Sequence, residues 1–123
     1  MQSFQSCFED YGADYQATME RFLGNSAMYL KILEMLFLDD NLEKLADSIE
    51  KNNLTDAFAA AHTLKGVAGN LGLTPLYHAV CAIVEPLRAG EPREDYPAMC
   101  ETIRSEFQRA ASFHAALKRC IQK

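Results

Sequence analysis

Apolar side chains recur at steps of three and four residues along most of this chain, which is the spacing of an amphipathic α-helix. The clearest stretch contains Ala57, Ala61, Leu64, Ala68 and Leu71. No segment shows a clear period-two alternation, and β-branched residues are few, so strands are not expected. The sequence therefore predicts an all-α protein.

Glycine and polar residues divide the N-terminal half into two predicted helices. The first is short, covering about 14–23, and Gly24 ends it as a C-terminal glycine. The second covers about 25–52. A polar patch at 39–41 weakens its apolar pattern and either kinks the helix or forms a solvated turn.

Capping residues define where the next two helices begin. Asn53 begins the third helix, and Asp56 completes a variant of the capping box. This helix runs to about Leu71. Thr74 is predicted to cap the fourth helix, with Pro75 at the first helical position, where its missing N–H is not needed.

Proline and glycine also delimit the last part of the chain. Pro86 is expected to kink or loosen the last turn of the fourth helix, which ends at Gly90. A fifth helix runs from about Asp95 or Pro97 to Arg119. Most of the phenylalanines are expected to fill the core: Phe22, Phe37, Phe107 and Phe113.

The chain's 123 residues suffice for one core and are too few for two, so a single domain is predicted over 1–123. Four substantial amphipathic helices with short connections predict an antiparallel four-helix bundle. The short additional N-terminal helix would cap one end of it. Because the helices can bury their own apolar faces, a monomer is expected.

Charge and cysteine content limit the partners and the compartment. Twelve Lys and Arg against 17 Asp and Glu give a net charge of -5, which disfavours nucleic acid and anionic membranes as partners. No apolar stretch is long enough to span a bilayer, and the first residues lack the pattern of a signal peptide. Four scattered cysteines favour buried thiols in a reducing cytoplasm over a disulfide framework: Cys7, Cys81, Cys100 and Cys120.

The third predicted helix carries an unusual group of residues around His62. Lys65, Gly66 and Gly69 follow it within two turns, although a glycine inside a helix costs roughly 1 kcal/mol relative to alanine. On a helical wheel these residues lie roughly 130° from the centre of the apolar face. We therefore expect His62 to face solvent, with a cation one turn away, on a surface that a large partner can approach closely.

This pattern favours phosphoryl transfer at His62. A neutral imidazole nitrogen is available near pH 7 and can act as a nucleophile. Lys65 can neutralise a phosphoryl group held at the ring, and Gly66 and Gly69 leave room for another protein's active site. The chain has no phosphate-binding loop of the GxxxxGK type, so it is not expected to bind nucleotide or to act as an enzyme by itself.

Three other residues near or beyond this group have simpler interpretations. Phe58, one turn before His62, either packs in the core or forms part of an apolar docking surface. His78 and His114 each stand alone on their helices, with no second histidine at helical spacing for a zinc pair. We expect surface or half-buried roles for both and no metal site.

The segment 62–72 resembles the histidine phosphotransfer (HPt) domain of bacterial multistep phosphorelays, whose motif is H-x-x-K-G followed by small residues. Residues 21–25 and 76–90 resemble the flanking helices of that family, although Pro86 departs from its pattern. The resemblance implies a four-helix bundle and a His62 that is phosphorylated on a ring nitrogen by a receiver-domain aspartyl phosphate. It also implies that Lys65 faces the phosphate, that Gly66 allows close approach, and that Mg²⁺ belongs to the receiver and not to this chain.

Three functions follow as hypotheses. The leading one is a cytoplasmic phosphorelay intermediate that exchanges phosphoryl groups with receiver domains of response regulators or hybrid histidine kinases. The alternative is a docking module that binds and inhibits a receiver or a kinase without transferring phosphate. The third is a metal-binding bundle. Only the first needs His62 beside Lys65 on a face lined by glycines.

Overall fold

The computed structural model describes residues 3–121, and within that range the secondary structure is helical with no strand. Seven helices follow one another along the chain: α1 (Phe4–Tyr11), α2 (Tyr15–Arg21), α3 (Ser26–Leu36), α4 (Asn41–Glu50), α5 (Leu54–Asn70), α6 (Thr74–Arg88) and α7 (Tyr96–Ile121). The predicted all-α class is confirmed.

Four helices form the bundle. α4 packs on α5 and α7, α5 packs on α6, and α6 packs on α7, so that the ring of contacts closes. Three-residue connections at 51–53 and 71–73 make consecutive helices antiparallel neighbours. The centre holds fully buried aliphatic side chains: Leu45, Leu64, Leu76, Val80, Ile83, Ile103 and Leu117. The predicted four-helix bundle is therefore present.

Three helices precede the bundle. α2 lies where the first predicted helix was expected, α3 is the first part of the predicted second helix, and α1 was missed. Ser3 and Ser6 form a reciprocal capping box at the start of α1, and Gly12 ends the helix with φ +100°. Phe8 and Tyr11 of α1 pack against Phe113 of α7, which holds α1 on the bundle.

The polar patch at 39–41 separates α3 from α4 and is a turn, not a kink. The Asp39 carboxylate accepts hydrogen bonds from the backbone N–H of Asn41 at 2.7 Å and from its side-chain amide at 2.6 Å. Phe37 closes α3 as its C-cap residue, and Leu38 is exposed. Of the two alternatives that the sequence left open, the structure therefore has the turn.

The start of α5 follows the sequence prediction, whereas that of α6 does not. The Asn53 side chain accepts from the backbone N–H of Asp56 and donates to its carboxylate at 2.8 Å. At α6 the cap is Leu73, so Thr74 and Pro75 are the first and second helical residues, and the predicted cap at Thr74 is wrong. The reason is the tight turn at Gly72 (φ +68°), which starts the helix one residue early.

Gly72 is required where α5 meets α2. Its backbone is left-handed, and a Cβ at this position would overlap the Thr18 side chain. Thr18 is almost fully buried under this turn. The close approach fixes α2 against the C-terminal end of α5.

α6 continues through Pro86 to Arg88, and Gly90 (φ +65°) follows the helix. The four cysteines are thiols. No helix described between residues 3 and 121 is long and apolar enough to cross a membrane.

Candidate functional site

His62 lies in the middle of α5 and is exposed, as the wheel predicted. The opposite side of α5 buries only small residues and one leucine, which allows its neighbours to pack closely: Ala57, Ala60, Ala61, Leu64 and Ala68. The backbone under His62 is thus held on the core side by tight packing. The exposed imidazole therefore stands on a rigid support.

Phe58 flanks the imidazole one turn earlier on α5. The two ring centroids are 5.5 Å apart and the planes are tilted by 35°. The guanidinium carbon of Arg88, from α6, lies 5.2 Å from the centroid of the Phe58 ring, which is the geometry of a cation–π contact. Phe58 is half-buried and also packs against the core. It therefore combines core packing with a position beside His62.

Lys65 lies one turn after His62 and is half-buried. In the part of the chain that the structure describes, no carboxylate lies within salt-bridge distance of its ammonium group. By contrast, Arg88 lies 3.4 Å from the Glu85 carboxylate. The positive charge of Lys65 is therefore available to an incoming anion.

Gly66 borders open space. A Cβ built on it would have no neighbouring atom within 4 Å apart from the helix itself. Beside it, a groove of about 550 Å³ runs between α3 and α5 and is lined by Ile32, Met35, Val67 and others. Met35 is 60% exposed. The glycine thus joins the face of His62 to an apolar groove.

Gly69 has a packing partner within the protein. A Cβ here would lie 3.1 Å from Cε1 of Tyr77, so the missing side chain lets α6 approach α5. Its carbonyl accepts a hydrogen bond at 3.0 Å from Arg21 of α2, which also bonds the Asn70 carbonyl at 2.7 Å. The sequence assigned Gly69 to the approach of a partner, and the structure supplies this internal reason for it.

Two arginines contribute to the site and were missed as such from the sequence. Arg21 satisfies carbonyl groups at the C-terminal end of α5, where helix carbonyls otherwise lack partners. Arg88 covers Phe58. Both lie in the flanking segments that carried the family resemblance, but their contacts cross between helices, so spacing along one helix gave no signal for them.

The remaining histidines lie apart from this group. His78 is exposed on α6. His114 is half-buried on α7 with its ring 5.6 Å from that of Phe37, and burial lowers its pKa. Among residues 3–121 no three metal-ligating side chains converge. The arrangement can present a nucleophilic nitrogen and a nearby cation to a phosphoryl group that a partner supplies.

Comparison with known proteins gives one family. No curated protein and no solved structure matches the chain. A family model described as Hpt domain matches residues 17–113, which extend from α2 into α7 and contain His62, Lys65 and Gly66. The chain therefore belongs to the Hpt domain family, whose members carry out histidine phosphotransfer in the phosphorelays of two-component systems.

Proposed function

We propose that this chain is a phosphorelay intermediate that accepts a phosphoryl group on His62 from a receiver-domain aspartate and passes it to another receiver aspartate. The observation that carries the proposal is the exposed imidazole on α5 beside open space at Gly66, within a chain of the Hpt domain family. The partners are receiver domains of response regulators or hybrid histidine kinases. The chain acts as a cytoplasmic monomer.

The transfer is a nucleophilic substitution at phosphorus. A ring nitrogen of neutral His62 donates its lone pair to the phosphorus of the aspartyl phosphate, and the P–O bond to the partner aspartate breaks to release its carboxylate. The imidazole keeps the proton on its other nitrogen. Onward transfer reverses these changes with a second aspartate as nucleophile. Lys65 offsets the negative charge of the phosphoryl group at the ring.

The receiver also needs a surface on which to dock. The groove beside Gly66 offers apolar contact from Ile32, Met35 and Val67. Met28, one turn before Ile32 on α3, is also exposed. Methionine adapts its shape to more than one partner, which suits a carrier that meets a donor and an acceptor. We propose this groove as the continuation of the docking face around His62, with a receiver domain as its occupant.

Labelling with a phosphorylated receiver domain and Mg²⁺ tests the proposal. Wild type is expected to acquire phosphate that is labile in acid and stable in base, and His62→Gln is expected to acquire none. His78→Gln is the matched control, because it removes another exposed histidine and should label as wild type does. Lys65→Ala should slow labelling by at least about tenfold, because it removes a stabilising charge.

Two outcomes would contradict the proposal. Label that persists in His62→Gln would place the acceptor elsewhere. A wild-type chain that binds receivers and inhibits them without labelling, with His62→Gln equally effective, would support the docking module instead. The two results are separated by measuring receiver binding in parallel with labelling.

A further inference from the structure

Two cysteines meet where the first helix packs on the last. Cys7 is on α1, Cys120 is in the last turn of α7, and their sulfur atoms are 3.7 Å apart although the two residues are 113 positions apart along the chain. This distance is van der Waals contact between two sulfurs. The packing of Phe8 and Tyr11 against Phe113 already holds α1 and α7 together at this place.

The two thiols differ in access. Cys7 is only 3% exposed, whereas Cys120 is partly exposed. A cleft of about 250 Å³ opens between α1 and α7 and is lined by Cys7, Asp10 and Arg109 among others. Because Cys120 is the more exposed of the two thiols, a small oxidant reacts there first, and the cleft lies on the Cys7 side of the pair.

We propose that Cys7 and Cys120 form a site of intramolecular disulfide formation, with a small-molecule disulfide of the glutathione class as oxidant. Both residues lie outside the segment 17–113 that the Hpt domain family shares. The site is thus built from the parts of this chain that extend the common fold, and it is separate from His62.

The reaction is two successive thiol–disulfide exchanges. The Cys120 thiolate attacks oxidised glutathione, the S–S bond of the oxidant breaks, and one glutathione thiolate leaves. The Cys7 thiolate then attacks Sγ of Cys120 and releases the second glutathione. Two protein thiols lose two electrons and two protons, and one disulfide is reduced to two thiols. The sulfurs must close from 3.7 Å to about 2.05 Å to form the bond.

The second exchange is expected to be the slow one at neutral pH. Burial raises the pKa of Cys7, the Asp10 carboxylate raises it further, and Arg119 opposes them, so only a small fraction of Cys7 is thiolate near pH 7 even after Cys120 carries glutathione. Since the thiolate is the nucleophile, the rate of ring closure should rise about tenfold per pH unit below that pKa. The glutathione adduct on Cys120 should therefore accumulate briefly before closure.

Intact-mass measurement of the reduced protein with oxidised glutathione tests the site. Wild type is expected to lose two hydrogens, and a digest should contain a peptide pair linked through Cys7 and Cys120. Cys7→Ser should stop at the glutathione adduct. Cys81→Ser is the matched control and should close as wild type does, since Cys81 is a partly exposed cysteine on α6.

Thermal unfolding gives a second readout. Because the bond joins residues 113 positions apart and so closes a long loop, the oxidised form should melt about 10 °C above the reduced form. A wild-type protein that keeps the glutathione adduct, forms only disulfide-linked dimers, or pairs Cys81 instead would overturn the proposal. His62 labelling is measured separately, so that failure of one proposal leaves the other open to its own test.

Discussion

The two glycines that follow His62 have different surroundings. Gly66 borders open space beside the apolar groove, whereas Gly69 faces the ring of Tyr77. A methyl group would project into solvent at the first position and into a neighbouring helix at the second. The first glycine therefore leaves open space on the face of His62, and the second lets α6 pack against α5.

Gly66→Ala and Gly69→Ala separate these two roles. Alanine stabilises a helix interior by roughly 0.5–1 kcal/mol relative to glycine, so Gly66→Ala should raise the free energy of unfolding by about that amount. Gly69→Ala should gain less or lose stability, because the new Cβ lies 3.1 Å from Cε1 of Tyr77. Urea unfolding of the two variants and the wild type checks the order.

The same pair tests access at the site. Gly66→Ala should slow labelling by a phosphorylated receiver although the protein is more stable, since the methyl group would stand in the proposed path of the partner. If Gly66→Ala labels at the wild-type rate and Gly69→Ala does not, the docking face lies on the α6 side of His62 instead. The exposure of His62 could be predicted from the period of α5, but the contact with Tyr77 could not, because it depends on how two helices pack.

At the scale of elements, apolar spacing and capping residues in the sequence predict the long helices but not the short ones. α5 begins at the Asn53 cap and ends before Gly72, as the sequence indicates. α1 has eight residues, which are too few for a helical spacing of apolar residues to be recognised. Its capping box pairs Ser3 with Ser6, where a Glu or Gln is usual. Its stability comes from packing, which no local pattern reports.

The anchoring of α1 can be tested at Phe8. Its side chain is fully buried, with ring contacts to Tyr15, Tyr29 and Phe113 at centroid distances of 5.4, 5.4 and 4.9 Å. Phe8→Ala should therefore lower the free energy of unfolding by about 3–5 kcal/mol, measured by urea titration. Gln5→Ala, on the exposed side of α1, should change it by no more than about 0.5 kcal/mol. Equal effects of the two variants would show that α1 is not part of the cooperative core.

At the scale of the whole molecule, the bundle could be predicted from four amphipathic helices and their short connections. The arrangement of the N-terminal helices could not. α2 is fixed by Thr18 under Gly72 and by the hydrogen bonds from Arg21, which link residues about fifty positions apart. Such contacts depend on the assembled bundle, and a pattern within one helix does not contain them.

The free energy of unfolding should depend on pH through His114. His114 of α7 packs beside Phe37, which follows α3, and its Nε2 atom is buried with no hydrogen-bond partner among the described residues. Burial lowers its pKa, the charge of Lys118 lowers it further, and Glu34 opposes them. The folded state therefore resists protonation of His114 more than the unfolded chain does.

Stability should consequently fall in mild acid. The unfolded chain binds this proton near pH 6.5, so the contribution of His114 is complete above that pH and is lost as the pH falls toward the lowered pKa of the folded state. Urea unfolding at about pH 7.5 and 5.5 brackets the start of the loss. His114→Phe should lose less stability between the two conditions than wild type. His78→Gln, which removes an exposed histidine, should follow wild type. A loss in His114→Phe as large as in wild type would assign the pH dependence to other groups and contradict the lowered pKa of His114.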